Sequence, residues 1–229
     1  MKLKNNGIHN LETWKKLAPP MGGDKQWKEG RSAMELARYM TADYPAVPSE
    51  IEDLLVGFTD SDSEFDWSAE YVTSFAKHGL GRGEGLMYNS DIVIGIEGKA
   101  DESFGSQTIG EALKNASDNK LTRINGMLGM LFDNPPKELE KIRYQLVTAT
   151  AATLIEAMER NAKKALVLVI VFKKDGCFSE EKIVDNNKDL EFFLSEISAT
   201  PCGSCYAIPT PYGREHGIDL YFAKIEIDL

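Results

Sequence analysis

A chain of 229 residues with 42% hydrophobic side chains can bury a large core without covalent staples. Three cysteines, an odd count, argue against a disulfide framework and fit a reducing cytosol, and no apolar run approaches the ~20 residues of a membrane-spanning helix. The net charge of −10, with no long basic run, excludes a simple nucleic-acid coat but not an enzyme whose carboxylates hold a divalent metal beside a local basic cleft.

The opening Met1-Lys-Leu-Lys-Asn-Asn has no apolar segment behind it and reads as no secretory signal. Residues 1–30, broken at Pro19-Pro20 and Gly22-Gly23, are expected to wrap irregularly around the body, anchored by tryptophans. Ser32 followed by Glu35 matches a capping box and predicts a helix to about Met40. A short helix follows Pro48, with Ser49 as cap and Ile51, Leu54 and Leu55 inward; the acidic stretch 60–66 reads as a loop. Residues 68–76 look extended, and 84–88 with 91–99 suit a hairpin turning at Asn89-Ser90. Residues 107–131 predict helix in two pieces broken near Ser117, and 137–161 a long helix with a small-residue middle, Thr148-Ala-Thr-Ala-Ala-Thr153. Residues 165–172 are aliphatic on both faces, as a central strand covered on both sides should be. A helix near 187–197 and a strand near 218–227 complete an α/β fold with a mixed sheet flanked by helices. No linker or repeat divides it, so one domain is expected over 1–229: the wrap, a core over 31–172 and a helix-and-strand extension over 173–229.

The chemistry concentrates in Asp91-Ile-Val-Ile-Gly-Ile-Glu-Gly-Lys99. Strand side chains alternate, so Ile92, Ile94 and Ile96 share one face while Gly95, Glu97 and Lys99 share the other. The first face wants a core. The second holds an acid and an amine side by side, with Gly95 and Gly98 leaving space around them, which suits metal and phosphate. For an arbitrary Glu-x-Lys, a solvent-facing ion pair of little energetic worth is the commoner explanation; the glycines, the aliphatic opposite face and the surrounding motifs favour a functional site.

An acid before a hairpin, Glu-x-Lys ending its second strand, then a long helix and a buried strand resembles the PD-(D/E)xK nuclease superfamily. Trp27-Lys-Glu-Gly-Arg-Ser-Ala-Met-Glu-Leu-Ala37, Ile96-Glu-Gly-Lys-Ala-Asp-Glu-Ser-Phe-Gly105 and Ile142-Arg-Tyr-Gln-Leu146 look like an uncharacterised bacterial family within it. The resemblance implies a restriction-endonuclease-like core (αβββαβ) and a nuclease that cleaves DNA or RNA with Mg²⁺ or Mn²⁺. It implies Glu97 as motif acid and metal ligand, Lys99 as motif lysine, and Gln145 as the polar residue that the long helix directs to the cleft. The family's Asp is absent from the preceding strand, where Glu84 is the nearest acid. Asp91 shares the face of Glu97 but sits ~20 Å away along a regular strand, too far for a shared ion. Glu35 or Glu70 could add a further acid; Glu35 has its capping role, so Glu70 is preferred. Arg143, two positions from Gln145 on a helix, cannot face the same site.

Other motifs have plainer readings. Gly79-Leu-Gly-Arg-Gly-Glu-Gly85 lacks the order of a phosphate loop and leads into a strand, so it reads as a flexible loop; Arg82 within it could reach a substrate phosphate. Cys202-Gly-Ser-Cys205 is preceded by Pro201 and followed by a strand-like segment, unlike a redox motif at a helix start, and only Cys177 and His216 remain as distant zinc partners. Structural thiols are expected. His9 and His78 have no motif around them, and Glu102 reads as a loop charge. The alternative to a nuclease is a nuclease-like fold that no longer cuts and serves as an interaction or regulatory protein.

Overall fold

The computed structural model describes residues 1–75, 80–114, 116–174 and 180–229, apart from the side chains of Leu80, Arg82, Glu180 and Ile183. His78 and Cys177 lie outside the described residues. The strands are β1 (Lys2–Leu3), β2 (Glu64–Ser74), β3 (Leu80–Tyr88), β4 (Ile92–Lys99), β5 (Lys164–Lys173), β6 (Thr200–Cys202), β7 (Cys205–Ile208) and β8 (Asp219–Asp228). The helices are α1 (Leu11–Leu17), α2 (Ser32–Thr41), α3 (Ser49–Leu55), α4 (Ile109–Lys114), α5 (Asp118–Leu131), α6 (Tyr144–Glu159), α7 (Glu180–Glu196) and α8 (Pro211–His216).

The sheet has eight strands in the order β1-β2-β3-β4-β5-β8-β7-β6. β2, β3 and β4 form an antiparallel meander, β5 lies parallel to β4, and β8 parallel to β5. This is an α/β fold with a mixed sheet flanked by helices. The alternation expected of β4 and β5 divides the core in two. Ile92, Ile94, Ile96, Leu166, Leu168 and Ile170 pack with α2 and α3; Val93, Val167, Val169 and Val171 pack with α5, α6 and α7. Among the described residues no helix is long and apolar enough to cross a membrane.

α6 lies close against the sheet because its inner face is small. Thr150 and Thr153 are buried, and each satisfies its hydroxyl on the helix carbonyl four residues back. Gly95 of β4 answers from below: a Cβ there would sit 2.1 Å from Thr153 Oγ1. Gly83 of β3 plays the same part for Tyr71, whose ring would meet a Cβ at 2.1 Å.

Several elements depart from the sequence expectations. The segment 1–30 contains β1, parallel to β2, and α1, capped by Asn10 on the Thr13 amide, with Trp14 packed on Trp67. Pairing with β1 draws residues 64–66 out of the expected acidic loop and into β2. The helix expected over 137–161 begins only at Tyr144: Leu139–Lys141 form a 3-10 turn, and the Tyr144 amide is taken by the Gln107 carbonyl at 3.0 Å. α7 begins earlier than 187, and α8 follows Thr210, which caps it, ending on Gly217 in the left-handed region.

Gly95→Ala is expected to destabilise the protein by about 1–3 kcal/mol, the usual penalty for overpacking a filled core. Urea unfolding equal to that of the parent chain would show that α6 does not press on β4 as described.

Candidate functional site

β3 and β4 pair as far as Gly85 and Ile96 and then part, while β4 keeps β5 beside it to Lys99 and β3 keeps β2 to Leu80. The meander therefore opens into a V along the last three residues of β4. There the Gly98 amide donates to Glu84 Oε2 at 2.8 Å, and the Gly98 carbonyl accepts from Lys99 Nζ at 2.8 Å. Buried peptide groups need partners, and here side chains replace the missing strand. Gly98 must be bare for this, since a Cβ would stand 2.8 Å from the Glu84 carboxylate.

Glu84, Glu97 and Lys99 converge in the V. Lys99 Nζ lies 3.8 Å from Glu97 Oε2 and 3.9 Å from Glu84 Oε1, and Glu97 and Lys99 are only 4% and 2% exposed. Gln145, in the first turn of α6, donates from Nε2 to Glu97 Oε2 at 2.7 Å. Ser32 Oγ, at the first turn of α2, donates to Glu84 Oε1 at 3.2 Å, and the Phe104 ring flanks the ammonium with its centroid 5.7 Å from Nζ. The resulting cleft of about 410 Å³ is also lined by Lys25, Arg31 and Glu102.

Burial pushes the Glu97 carboxyl up to about 8, against the opposing field of Lys99 and with the help of the Glu84 and Glu70 charges. Burial likewise raises Glu84, opposed by Lys99 and reinforced by Glu102. Lys99 thus faces two carboxylates, Glu97 buried and Glu84 half-buried. Hard oxygen donors are what a small divalent cation takes, with water completing its shell, and a carboxyl that ligates one must give up its proton. Among the described residues no group of three His, Cys, Asp or Glu side chains forms a ready ligand set.

Glu70 stands in β2 between Ala69 and Tyr71, whose partners Gly85 and Gly83 flank Glu84; its φ of 50° is left-handed, a strained state for a non-glycine residue. It is half-buried, and its charge reaches Glu97. The glycine run expected as a flexible loop is strand from Leu80 on, held by pairing with β2: Arg82 of β3 pairs with Val72 of β2, and its side chain lies outside the described ones. Asp91 is exposed at the hairpin turn.

The capping box at Ser32 and Glu35 is not formed. Arg31 is the N-cap, so Ser32 is already helical and its hydroxyl turns to Glu84. Glu35, 1% exposed, accepts from the Gly30 amide at 2.6 Å and pairs with Arg38. Glu102 lies in the loop after β4, as expected, and is half-buried against the start of α2. Its Oε1 accepts from the Ser32 amide at 3.1 Å, where a helix leaves its first amides unpaired. Its Oε2 is buried with no hydrogen-bond partner among the described residues. Lys25, Arg31, Ser32 and Glu102 were missed as cleft residues; the signal was that three of them lie in motifs already noted around Glu35 and Lys99. Cys202 and Cys205 face each other across the turn of the β6–β7 hairpin as free thiols, Cys202 exposed and Cys205 buried.

Residues 7–229 match the family described as Domain of unknown function (DUF6946). The chain belongs to DUF6946. No curated protein and no solved structure matches it. The region matched to DUF6946 contains both arms of the V, α2 and α6, and so every cleft residue named above.

A carboxyl held above its ordinary value of 4.5 binds its proton more tightly folded than unfolded, so its contribution to stability is lost as pH rises toward about 8. With a chelator present, the parent chain should lose stability across that window, and Glu97→Gln should show a shallower loss. Parallel pH–stability curves for the two would mean that Glu97 ionises without penalty in the folded cleft.

Proposed function

We propose that this protein is a metal-dependent phosphodiesterase acting on nucleic acid, with a restriction-endonuclease-like core. One observation carries the reading: Glu84, Glu97 and Lys99, from two strands that part company, meet in one cleft beside Gln145. The chain order supports it, with helices first, then a three-strand antiparallel meander, helices, and a strand parallel to the last of the meander. The donor chemistry supports it as well, since paired carboxylates and a buried, unpartnered Glu102 oxygen suit a cation.

Glu84 and Glu97 would hold Mg²⁺ or Mn²⁺. Such an ion, when bound, neutralises phosphate charge and makes a coordinated water more acidic. The chain's own residues do the rest. Gln145 orients the Glu97 carboxylate by its hydrogen bond, and Ser32 Oγ with the Gly98 amide orients Glu84. Lys99, pre-set within 4 Å of both acids, polarises the attacking water or a phosphate oxygen. Lys25 and Arg31 on the cleft wall attract the phosphate, a local basic feature on a chain of net charge −10.

Lys99→Met keeps most of the buried volume and removes the charge. It should lower Mg²⁺-dependent cleavage of DNA or RNA by about 10²–10³-fold, while Glu97→Gln should abolish the heat of Mg²⁺ binding in calorimetry. Cleavage untouched by Lys99→Met would place the chemistry elsewhere. No cleavage of any nucleic acid and no Mg²⁺ binding would favour a nuclease-like fold that serves as an interaction protein.

A further inference from the structure

The acid–lysine cleft does not stand alone. Gln145 lines both that cleft and a second cavity of about 350 Å³, whose walls include Met21, Phe75, Tyr144 and Arg123. Phe75 and Arg123 in turn line both the second cavity and a third, of about 370 Å³, between α5, α6 and α8. Met127, Met130, Met158 and Tyr212 line the third. The three cavities are thus neighbours in series, each sharing one or two wall residues with the next. The first is polar and holds the acids, whereas the other two are walled by aromatic and thioether groups.

α5 keeps the last cavity open. Gly126 sits in the interior of this helix, where glycine is the poorest residue after proline. Packing does not require it: a Cβ at Gly126 would meet nothing within 4 Å. The space above it is the third cavity.

Building on the nuclease reading, we propose that this series of cavities is the path of a single-stranded nucleic acid. The reacting phosphate lies in the acid–lysine cleft, and the bases of adjoining nucleotides enter the cavities beside Phe75, Tyr144 and the α5 methionines. A duplex hides its base faces and presents phosphates, so it is held by clustered cations. Here the path offers cations at the cleft, Lys25 and Arg31, beside the acids Glu84 and Glu102, and further on Arg123, with apolar and aromatic walls between and Glu159 at the far end. That is the pairing single strands need: a few charges for the backbone and π or thioether surfaces for unstacked bases. Each base face is apolar and aromatic whatever its identity, so the path is expected to tolerate many sequences.

Gly126→Leu tests the path by filling it. A Cβ there meets nothing within 4 Å and leucine improves helix propensity, so the thermal midpoint should hold or rise. Gly129→Leu, also on α5 with open space at its Cβ but outside the cavity, is the control. In fluorescence anisotropy with a chelator present, a labelled oligothymidylate should bind the parent chain about tenfold or more tighter than a duplex of equal length. Gly126→Leu should weaken oligothymidylate binding by a similar factor, and Gly129→Leu should not. Equal or tighter duplex binding, or an oligothymidylate affinity unmoved by Gly126→Leu, overturns the path. The two readings fail separately: binding lost in Gly126→Leu with no cleavage of any substrate upholds the strand path and removes the nuclease. Duplex cleavage unaffected by Gly126→Leu does the reverse.

Discussion

Beyond Ile96, the main chain of β4 has lost its antiparallel neighbour but remains inside the protein. Gly98 has an amide and a carbonyl that the ladder no longer serves, and the groups that serve them are the Glu84 carboxylate and the Lys99 ammonium. The residues with chemical potential are therefore also the ones that seal an opened sheet. Their buried charges are expensive unless paired and hydrogen-bonded, and each is so held: Glu84 by Ser32 and Gly98, Glu97 by Gln145, Lys99 by the Gly98 carbonyl and both acids. Everything else in the account depends on this parting of β3 from β4.

The helices on either face set the geometry of the V. α6 can approach β4 only because Gly95 lacks a side chain where Thr153 comes down, and this approach brings Gln145, two turns earlier, onto Glu97. On the other face α2 begins at the cleft, so that Ser32 meets Glu84 with its hydroxyl and Glu102 with its amide. The positive end of α2 favours the carboxylates gathered there. The loop carrying Glu102 is tied to α7 by Asn186, which donates to the Glu102 carbonyl at 2.8 Å. Elements from the whole length of the chain thus converge on a few atoms. The left-handed backbone at Glu70 lies beside the same opening, where β2 faces the point at which β3 turns away.

What could be read from the sequence was what short-range chemistry decides. The alternation of Ile92, Ile94 and Ile96 against Glu97 and Lys99 follows from strand geometry, and both faces are as expected. The turn at Asn89-Ser90 was legible because Asn89 satisfies the Asp91 and Ile92 amides with its own side chain. Glu84 is the nearest acid on the preceding strand once distance along β4 sets Asp91 aside, and it does lie by Lys99 with Glu97. What was misread was decided by distant partners. Ser32 and Glu35 fit a capping box locally, but Glu84, fifty-two residues away, competes for the serine, and Gly30 and Arg38 take the glutamate. The first thirty residues looked irregular because β1 is short and gains its partner from β2. Glu102 is the loop charge expected, but nothing local reveals that the start of α2 lies against it. The cap and stop signals of α8, Thr210-Pro211 and Gly217, were in the sequence and were overlooked.

The acids gathered beside Lys99 where the strands part are proposed to hold a divalent cation. A crystal grown with Mn²⁺ and measured for anomalous scattering tests this most directly. The account expects one strong peak between the Glu84 and Glu97 carboxylates, with Lys99 still in the cleft. A peak bound elsewhere, or Glu84 and Glu97 turned apart with no ion between them, would contradict it.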